Sequence, residues 1–377
     1  MNHYKLMSFQ YTLQRRLIKI KLDASETGRK APMFKKKLNF VYKLSSAKKS
    51  LFLGLAKSKE NNSFNFTDYI KNHSPSHVKK PNVHFLEWFV GMSEGDGCFF
   101  VRKSGNRFRL SFQIAQKEAA ILKKLRTQIG FGRVYRRKYF SPEGKEINYS
   151  LYNIDDKRNI QRLISLFNGN LILPKRRDQF NRWINYAKNE NLLPKNFINK
   201  QSNIHQQGPS ISLEDAWLSG FIDAEGCFYA KFSPASELKN KLTLKQKLHI
   251  TQKGVFGEEK ILAQIGNLFS SKSKVCLAFS KRKQLRSDSG SQNKYYRIEI
   301  SSLESHNKIV SYLNKFKLRT VKIRAFQKWS NIVLARNLKA YLDAKRIPGL
   351  IKACQKINSQ TKELKNKHTL NLYGSLE

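Results

Sequence analysis

Between residues 107 and 114 the chain alternates: Arg107, Arg109, Ser111 and Gln113 interleave with Phe108, Leu110, Phe112 and Ile114. A period of two with one polar face predicts a strand packed on one side only. The pattern returns where Lys241, Thr243, Lys245, Lys247, His249 and Thr251 alternate with Leu242, Leu244, Leu248 and Ile250, Gln246 being the one exception. The flanking patterns also match. In the first copy a helix from about Phe85 to Glu94 leads into a strand at Cys98–Lys103, then the alternating strand. A helix with Ile121, Leu122, Leu125 and Ile129 follows, closed by Gly130 and Gly132. A hairpin (Arg133–Arg137, Asn148–Ile154) and an amphipathic helix bearing Ile160, Leu163, Ile164 and Phe167 complete it. In the second copy Ile261, Leu262, Ile265, Leu268 and Phe269 form the helical stripe. Lys274–Ser280 and Tyr295–Ser301 read as strands and Ile309–Leu313 as a helix. Each copy reads αββαββα, an α+β class with antiparallel sheets.

These patterns divide the chain into a basic N-terminal extension (1–81), a first repeat (82–190), a linker rich in Pro, Asn, Gln and Ser (191–212), a second repeat (213–336) and a basic tail (337–377) that reads as an appendage with a candidate helix after Pro348. The first 22 residues carry Lys5, Arg15, Arg16, Lys19 and Lys21 and no acid. Two readings stand for them, a transit peptide or a translated upstream extension. The loop Lys281–Asn293 is longer than a tight hairpin turn and carries Lys281, Arg282, Lys283 and Arg286.

Charge narrows the partner. The formal net charge is +45, from 72 Lys and Arg against 27 Asp and Glu, which calls for a polyanion. The four cysteines form no CxxC pair, so zinc spacing is absent, and Cys98 and Cys227 read as small buried hydrophobes. His84, His205, His249 and His306 lack Cys or His partners at ligand spacing. No apolar stretch is long enough to span a bilayer.

Chemistry concentrates in a segment that occurs twice, Val90-Gly-Met-Ser-Glu-Gly-Asp-Gly-Cys-Phe-Phe100 and Ser219-Gly-Phe-Ile-Asp-Ala-Glu-Gly-Cys-Phe-Tyr229. Gly91 and Gly95, like Gly220 and Ala224, fall one helical turn apart on one side, so two helix backbones can approach closely there. Asp96 and Glu225 follow at the last turn, against the negative end of the macrodipole. Gly97 and Gly226 stand where helices commonly end in a left-handed residue. If the two helices pack together, the two acids face each other and need a cation, for which a divalent metal is the natural candidate. Glu94 and Asp223 lie two residues earlier, about 200° round the helix, and are expected to be structural, paired with a nearby Arg or Lys.

Phe89–Gly97 and Leu218–Gly226, with the flanking Trp88 and Trp217, resemble two LAGLIDADG motifs, the signature of homing endonucleases carried by mobile introns. The resemblance spans about Val83 to Ile332. Two motifs in one chain resemble the monomeric class. The resemblance implies two pseudo-twofold-related repeats with saddle-shaped sheets and the motif helices at the interface. It also implies Mg²⁺ held by Asp96 and Glu225 with the carbonyls of Gly95 and Ala224. Gln116 and Gln252, from Gln-Lys pairs at the ends of the second strands, would position the attacking water. Lys175 and Lys322, ahead of the last helices, would polarise the scissile phosphate or stabilise its transition-state charge, with Arg176 and Arg177 competing for the first role. Ser93 departs from the motif, which prefers an aliphatic residue there, and Asp96 against Glu225 gives the two carboxylates different reach.

The implied partner is double-stranded DNA with a long, pseudo-palindromic target, read by β-ribbons in the major groove. Its contacts would come from Arg102, Arg107, Arg109, Ser111, Gln113, Arg133, Arg137, Lys241, Thr243, Lys245, Lys247, Lys281, Arg282 and Arg297. The function so implied is site-specific double-strand cleavage that spreads the host intron. The alternatives are an RNA maturase acting on group I intron RNA, which is compatible with cleavage, and a DNA binder that has lost cutting. A mitochondrial location is expected, with chloroplast as the alternative.

Overall fold

The computed structural model describes residues 63–78, 81–141, 144, 146–194, 208–236, 239–254, 256–279, 294–339 and 345–365. All of these belong to one compact unit, Asn61–Glu377. Residues 1–62 and the basic loop with Lys281 and Arg282 lie outside the described residues, as does His205.

The first repeat runs α1 (Val83–Asp96), β1 (Gly97–Ser104), β2 (Arg107–Gln116), α2 (Ala119–Ile129), β3 (Arg133–Phe140), β4 (Glu146–Ile154), α3 (Lys157–Phe167) and α4 (Pro174–Asn189). The second runs α5 (Trp217–Glu225), β5 (Gly226–Ser236), β6 (Lys239–Lys253), α6 (Glu258–Leu268), β7 (Cys276–Phe279), β8 (Lys294–Ile300), α7 (Leu303–Lys315) and α8 (Lys322–Asn337), with α9 (Ile347–Lys365) beyond. Each repeat thus carries one helix more than the predicted αββαββα. The polar stretches that form α4 and α8 keep only a sparse apolar stripe, namely Phe180, Trp183, Ile184 and Ala187 in α4. The sheets are antiparallel with matching order, β1-β2-β4-β3 and β5-β6-β8-β7.

The motif helices pack directly on each other. Asn82 caps α1 by accepting from the His84 N–H, and every residue from Phe85 to Asp96 is buried. A Cβ at Gly91 would collide with the Trp217 carbonyl, and one at Gly220 with the Trp88 carbonyl. A Cβ at Gly95 would strike that of Ala224. The paired small residues therefore serve the close crossing predicted for them. The Ser93 hydroxyl of α1 is buried without a partner.

Three expectations are corrected. Gly97 (φ −81°) and Gly226 (φ −74°) are extended, not left-handed, because each strand starts directly at the helix end. Glycine is needed there for space: a Cβ would crowd the Ser93 carbonyl and the Phe112 ring, or Ile222. Cys98 and Cys227 are half-buried and pair with Gln113 and His249, on the polar faces of their sheets rather than in the core. The stretch before α1 is not simply appendage either: Phe66 and Tyr69 enter the core, and the turn Tyr69–His73 packs on α3, where Arg162 Nε donates to the His73 carbonyl at 2.8 Å.

Gln246, the exception to alternation in β6, is buried and donates to the Trp329 carbonyl at 2.8 Å. Among the described residues no helix is long and apolar enough to cross a membrane.

Candidate active site and nucleic-acid face

Asp96 and Glu225 end the two packed helices. Glu225 Cγ lies 3.1 Å from where a Gly95 Cβ would stand, so the acids converge at the crossing. Asp96 is buried and Glu225 partly exposed. Gln116, at the end of β2, donates Nε2 to Asp96 Oδ2 at 2.5 Å. Its counterpart Gln252 is buried with its amide nitrogen unpartnered. Gln116 thus reaches a motif acid, while Gln252 holds the equivalent register position, two residues past Ile250 as Gln116 is two past Ile114.

Cations already meet the helix termini. Arg176 donates Nε to the Glu94 carbonyl at 2.7 Å and Nη2 to the Gly95 carbonyl at 2.9 Å. Lys322 donates Nζ to the Ala224 carbonyl at 2.8 Å and the Ile222 carbonyl at 3.3 Å. A cation against the last carbonyls of a helix contributes about 0.3–1 kcal/mol, more when partly buried. Part of the compensation expected from a metal thus comes from these side chains. The sequence pairs Lys175 with Lys322, but Arg176 does in the first repeat what Lys322 does in the second. Lys175 is thereby left over. Burial, with Arg176 beside it, pushes its ammonium down to about 8, and Glu225 opposes the shift.

Glu94 and Asp223 take no Arg or Lys side chain as hydrogen-bond partner. Glu94 Oε1 accepts from the backbone N–H groups of Ile172 (2.8 Å) and Leu173 (2.6 Å), and Oε2 from Trp217 Nε1. Asp223 accepts from the N–H of Arg319 (2.6 Å), from Thr320 and from Trp88 Nε1 (2.9 Å). Each acid holds the segment entering the last helix of its own repeat and the indole of the other repeat. Burial raises both carboxyls, Glu94 to about 7, and these donors oppose the rise.

The polar sheet faces are in register with each other. Counting from the motif ends, Gly97 pairs with Ile114 and Gly226 with Ile250. Arg102 then stands opposite Arg109 and Lys231 opposite Lys245, and all four are exposed. Like charges directly opposite in a sheet are destabilising, so both pairs suit a polyanion at this face. Arg107, Arg109, Gln113, Arg133 and Arg137 share one face of the first sheet, and Thr243, Lys245, Lys247 and Arg297 one face of the second. Ser111 is on that first face too, but it is buried and accepts from Gln113 Nε2 at 3.2 Å. Three predicted contacts are paired internally: Arg133 with Asp155 (2.8 Å), Lys247 with Glu299 (2.6 Å) and Arg297 with Thr251 (3.1 Å). Lys241 lies in β6. Lys231 and Tyr229 were missed. Their signal was the register, since each falls opposite a residue already singled out.

Two helices crossing at paired glycines, with an acid at each end and a four-stranded basic sheet on each side, define a pseudo-twofold two-repeat nuclease fold. A family model described as LAGLIDADG endonuclease matches residues 89–187 and 218–333, over half of the chain, and the chain belongs to that family. A probable intron-encoded endonuclease 4 of Neurospora crassa is 32% identical over 252 residues, covering 66% of this chain and 39% of that protein. The intron-encoded RNA maturase bI4 of Saccharomyces cerevisiae is 25% identical, covering 77% of this chain and 36% of its own length. The chain therefore spans about two fifths of each of these two relatives. Among solved structures, the I-SmaMI meganuclease bound to uncleaved DNA target in the presence of calcium ions superposes with a TM-score of 0.51 at 17% identity, covering 72% of this chain and 98% of that one.

Proposed function

We propose that the protein is a site-specific double-strand DNA endonuclease that hydrolyses phosphodiesters and promotes the mobility of its host intron. The observation that carries this is the convergence of Asp96 and Glu225 at the crossing of the two motif helices, between two sheets whose exposed faces keep like charges opposed. Asp96 and Glu225, with the carbonyls of Gly95 and Ala224, form an all-oxygen donor set, which fits a hard divalent cation such as Mg²⁺. Each carbonyl has a second lone pair beyond the one engaged by Arg176 or Lys322. Among the described residues there is no cluster of three or more His, Cys, Asp or Glu, so no nitrogen- or sulfur-rich site competes. Bound there, the metal would supply charge neutralisation at the attacking and leaving oxygens of an in-line displacement.

The chain's own groups have separable roles in this reading. Gln116 orients the Asp96 carboxylate, and the Gln252 amide is the donor available to a water. The Lys175 ammonium offers positive charge to a phosphate beside Glu225, while Arg176 and Lys322 hold the helix ends. DNA would lie along both sheet faces, with most Lys and Arg on phosphates and the ribbon residues at base edges. Both motifs lie in one chain and already bury each other, so a monomer suffices. A mitochondrial location accords with the intron-encoded relatives.

The test is cleavage of a plasmid bearing the intronless insertion site. Protein with Mg²⁺ should cut both strands, and Asp96→Asn and Glu225→Gln should each stop cutting while binding persists. Cutting retained by both variants would sink the metal site. A maturase activity is the second reading, favoured by the likeness to bI4. Splicing of the host intron RNA by the Glu225→Gln protein would establish it independently of cleavage.

A further inference from the structure

We infer that the second repeat reads a longer half-site than the first, and that α9 is the brace that makes the extra reach usable. This rests on the proposed DNA-binding function and concerns the shape of its target.

Measured from the motif ends, the two recognition ribbons differ in length. The first runs from the Gly97–Ile114 pair to Ser104–Arg107 and closes through Gly105 (φ +60°) and Asn106. The second runs from Gly226–Ile250 to Ser236–Lys239, with a register shift between Pro234 and Ser236. β1 ends at Ser104 and β5 at Ser236, so β5 is longer, 11 residues against 8. At roughly 3.3 Å per residue the difference is about 10 Å, or about three base pairs at roughly 3.4 Å each.

A protruding two-stranded ribbon is marginal without a packed face, and the two repeats meet that need differently. In the first, α4 alone reaches the ribbon's outer end: the Tyr186 ring lies 4.7 Å from that of Phe108, and Glu190 accepts the Phe108 N–H at 2.8 Å. In the second, α8 sets the rings of Phe326 and Trp329 at 5.5 and 5.3 Å from that of Phe228, tilted against it and close to the motif end of β5. A further helix, α9, packs against β5 and α8 and buries Cys354 and Ile357 completely or nearly so. Ala230, wholly buried, stands where the first repeat has the partly buried Val101. On the opposite face Lys231, Thr243 and Lys245 remain exposed, so the brace leaves the basic surface clear. The tail expected to be a basic appendage thus carries a packed helix with an apolar side.

The experiment is a single-base substitution scan of the insertion site with the full chain, read as Kd and as cutting. Sensitivity should extend about two to three base pairs farther from the cleavage centre on the side bound by the second repeat. That side is assigned by a cleavage reagent tethered at Ser104→Cys, on the polar face of the first repeat's ribbon. Substitutions at those distal pairs should weaken wild-type binding about 5- to 150-fold each. Ile357→Asp should abolish that distal discrimination and leave the first half-site unchanged. Should Ile357→Asp not fold, replacing Pro234–Leu242 by Gly-Asn, which closes Ser233 on Thr243 as Ser104 closes on Arg107, should shorten the sensitive region by the same amount. Half-sites of equal length would overturn the inference while leaving the endonuclease reading intact. Unequal half-sites with distal discrimination preserved in folded Ile357→Asp would overturn the role of α9. Absence of any sequence-dependent binding would overturn the endonuclease reading and the inference together.

Discussion

The indole N–H of Trp217 donates to Glu94 Oε2 across the helix crossing, and the indole of Trp88 returns the arrangement by donating to Asp223 Oδ2 at 2.9 Å. The two bonds are exchanged between repeats: each motif's tryptophan satisfies the other motif's buried acid. Those acids also hold the segments that start α4 and α8. Helix crossing and placement of Lys175, Arg176 and Lys322 are thereby coupled.

Trp217→Phe keeps most of the ring and removes one donor from a buried carboxylate. Loss of a hydrogen bond to a buried acid should destabilise the fold by about 1–3 kcal/mol. The double variant Trp217→Phe/Glu94→Gln should lose less than the sum of the singles, as contacting residues do. Urea unfolding of the four proteins closes the cycle, and simple additivity would remove the coupling.

Gln116 and Gln252 should not be equivalent. Gln116→Ala takes away the amide that orients Asp96 and should raise the Mg²⁺ concentration needed for half-maximal cutting about 10–100-fold, as loss of an outer-sphere partner does. Gln252→Ala should move that midpoint much less, because its amide nitrogen touches neither acid. Metal titrations at saturating DNA distinguish the two, and equal shifts would refute the asymmetry.

The opposed cations set stability against binding. Arg102→Thr removes one member of the Arg102–Arg109 pair. It should stabilise the free protein by about 0.2–1 kcal/mol and also weaken DNA binding, with the salt slope falling by about 1. Unfolding curves and Kd values between low and high salt measure both. A variant that lost stability and kept its affinity would show that the pair serves the sheet instead.

His306 gives the stability a pH dependence of known sign. Its Nε2 lies 3.0 Å from the Ile300 carbonyl, and Nδ1 lies 2.9 Å from Arg336 Nη1. With Nε2 donating, Nδ1 can accept from Arg336 only when the ring is neutral. Burial, aided by Arg336, lowers the ring from 6.5 to about 4. The unfolded chain takes up this proton below 6.5 and the folded chain only below about 4, so stability should fall as pH drops through that window. The loss from this group is about 2 kcal/mol by pH 5. His306→Gln should lack that increment when denaturation at pH 7 and pH 5 is compared.

The sequence made the repeats legible because alternation in β2 and β6 and the glycine spacing in α1 and α5 are local signals. The paired acids at the helix ends were legible for the same reason. The partners of Glu94 and Asp223 were not, since the Trp217 and Trp88 indoles come from the other repeat and the N–H donors from segments far along the chain. Lys175 and Arg176 could not be sorted by spacing, because which of them reaches the helix carbonyls depends on how α4 approaches α1. The glycines after the acids were misread as left-handed caps. Their need for space comes from Phe112 and from the turn of helix just before them. α9 was legible only as a candidate helix after Pro348, because its buried side exists only against β5 and α8.

The crossing of α1 and α5 has a consequence for inheritance. The Trp217 carbonyl occupies the space of a Gly91 side chain, and the Trp88 carbonyl that of a Gly220 side chain. The halves of this molecule are therefore not exchangeable modules. A foreign half drawn from another lineage must arrive with a glycine at the crossing and a tryptophan matched to the resident acid, so drift in one half restricts which substitutions the other can accept.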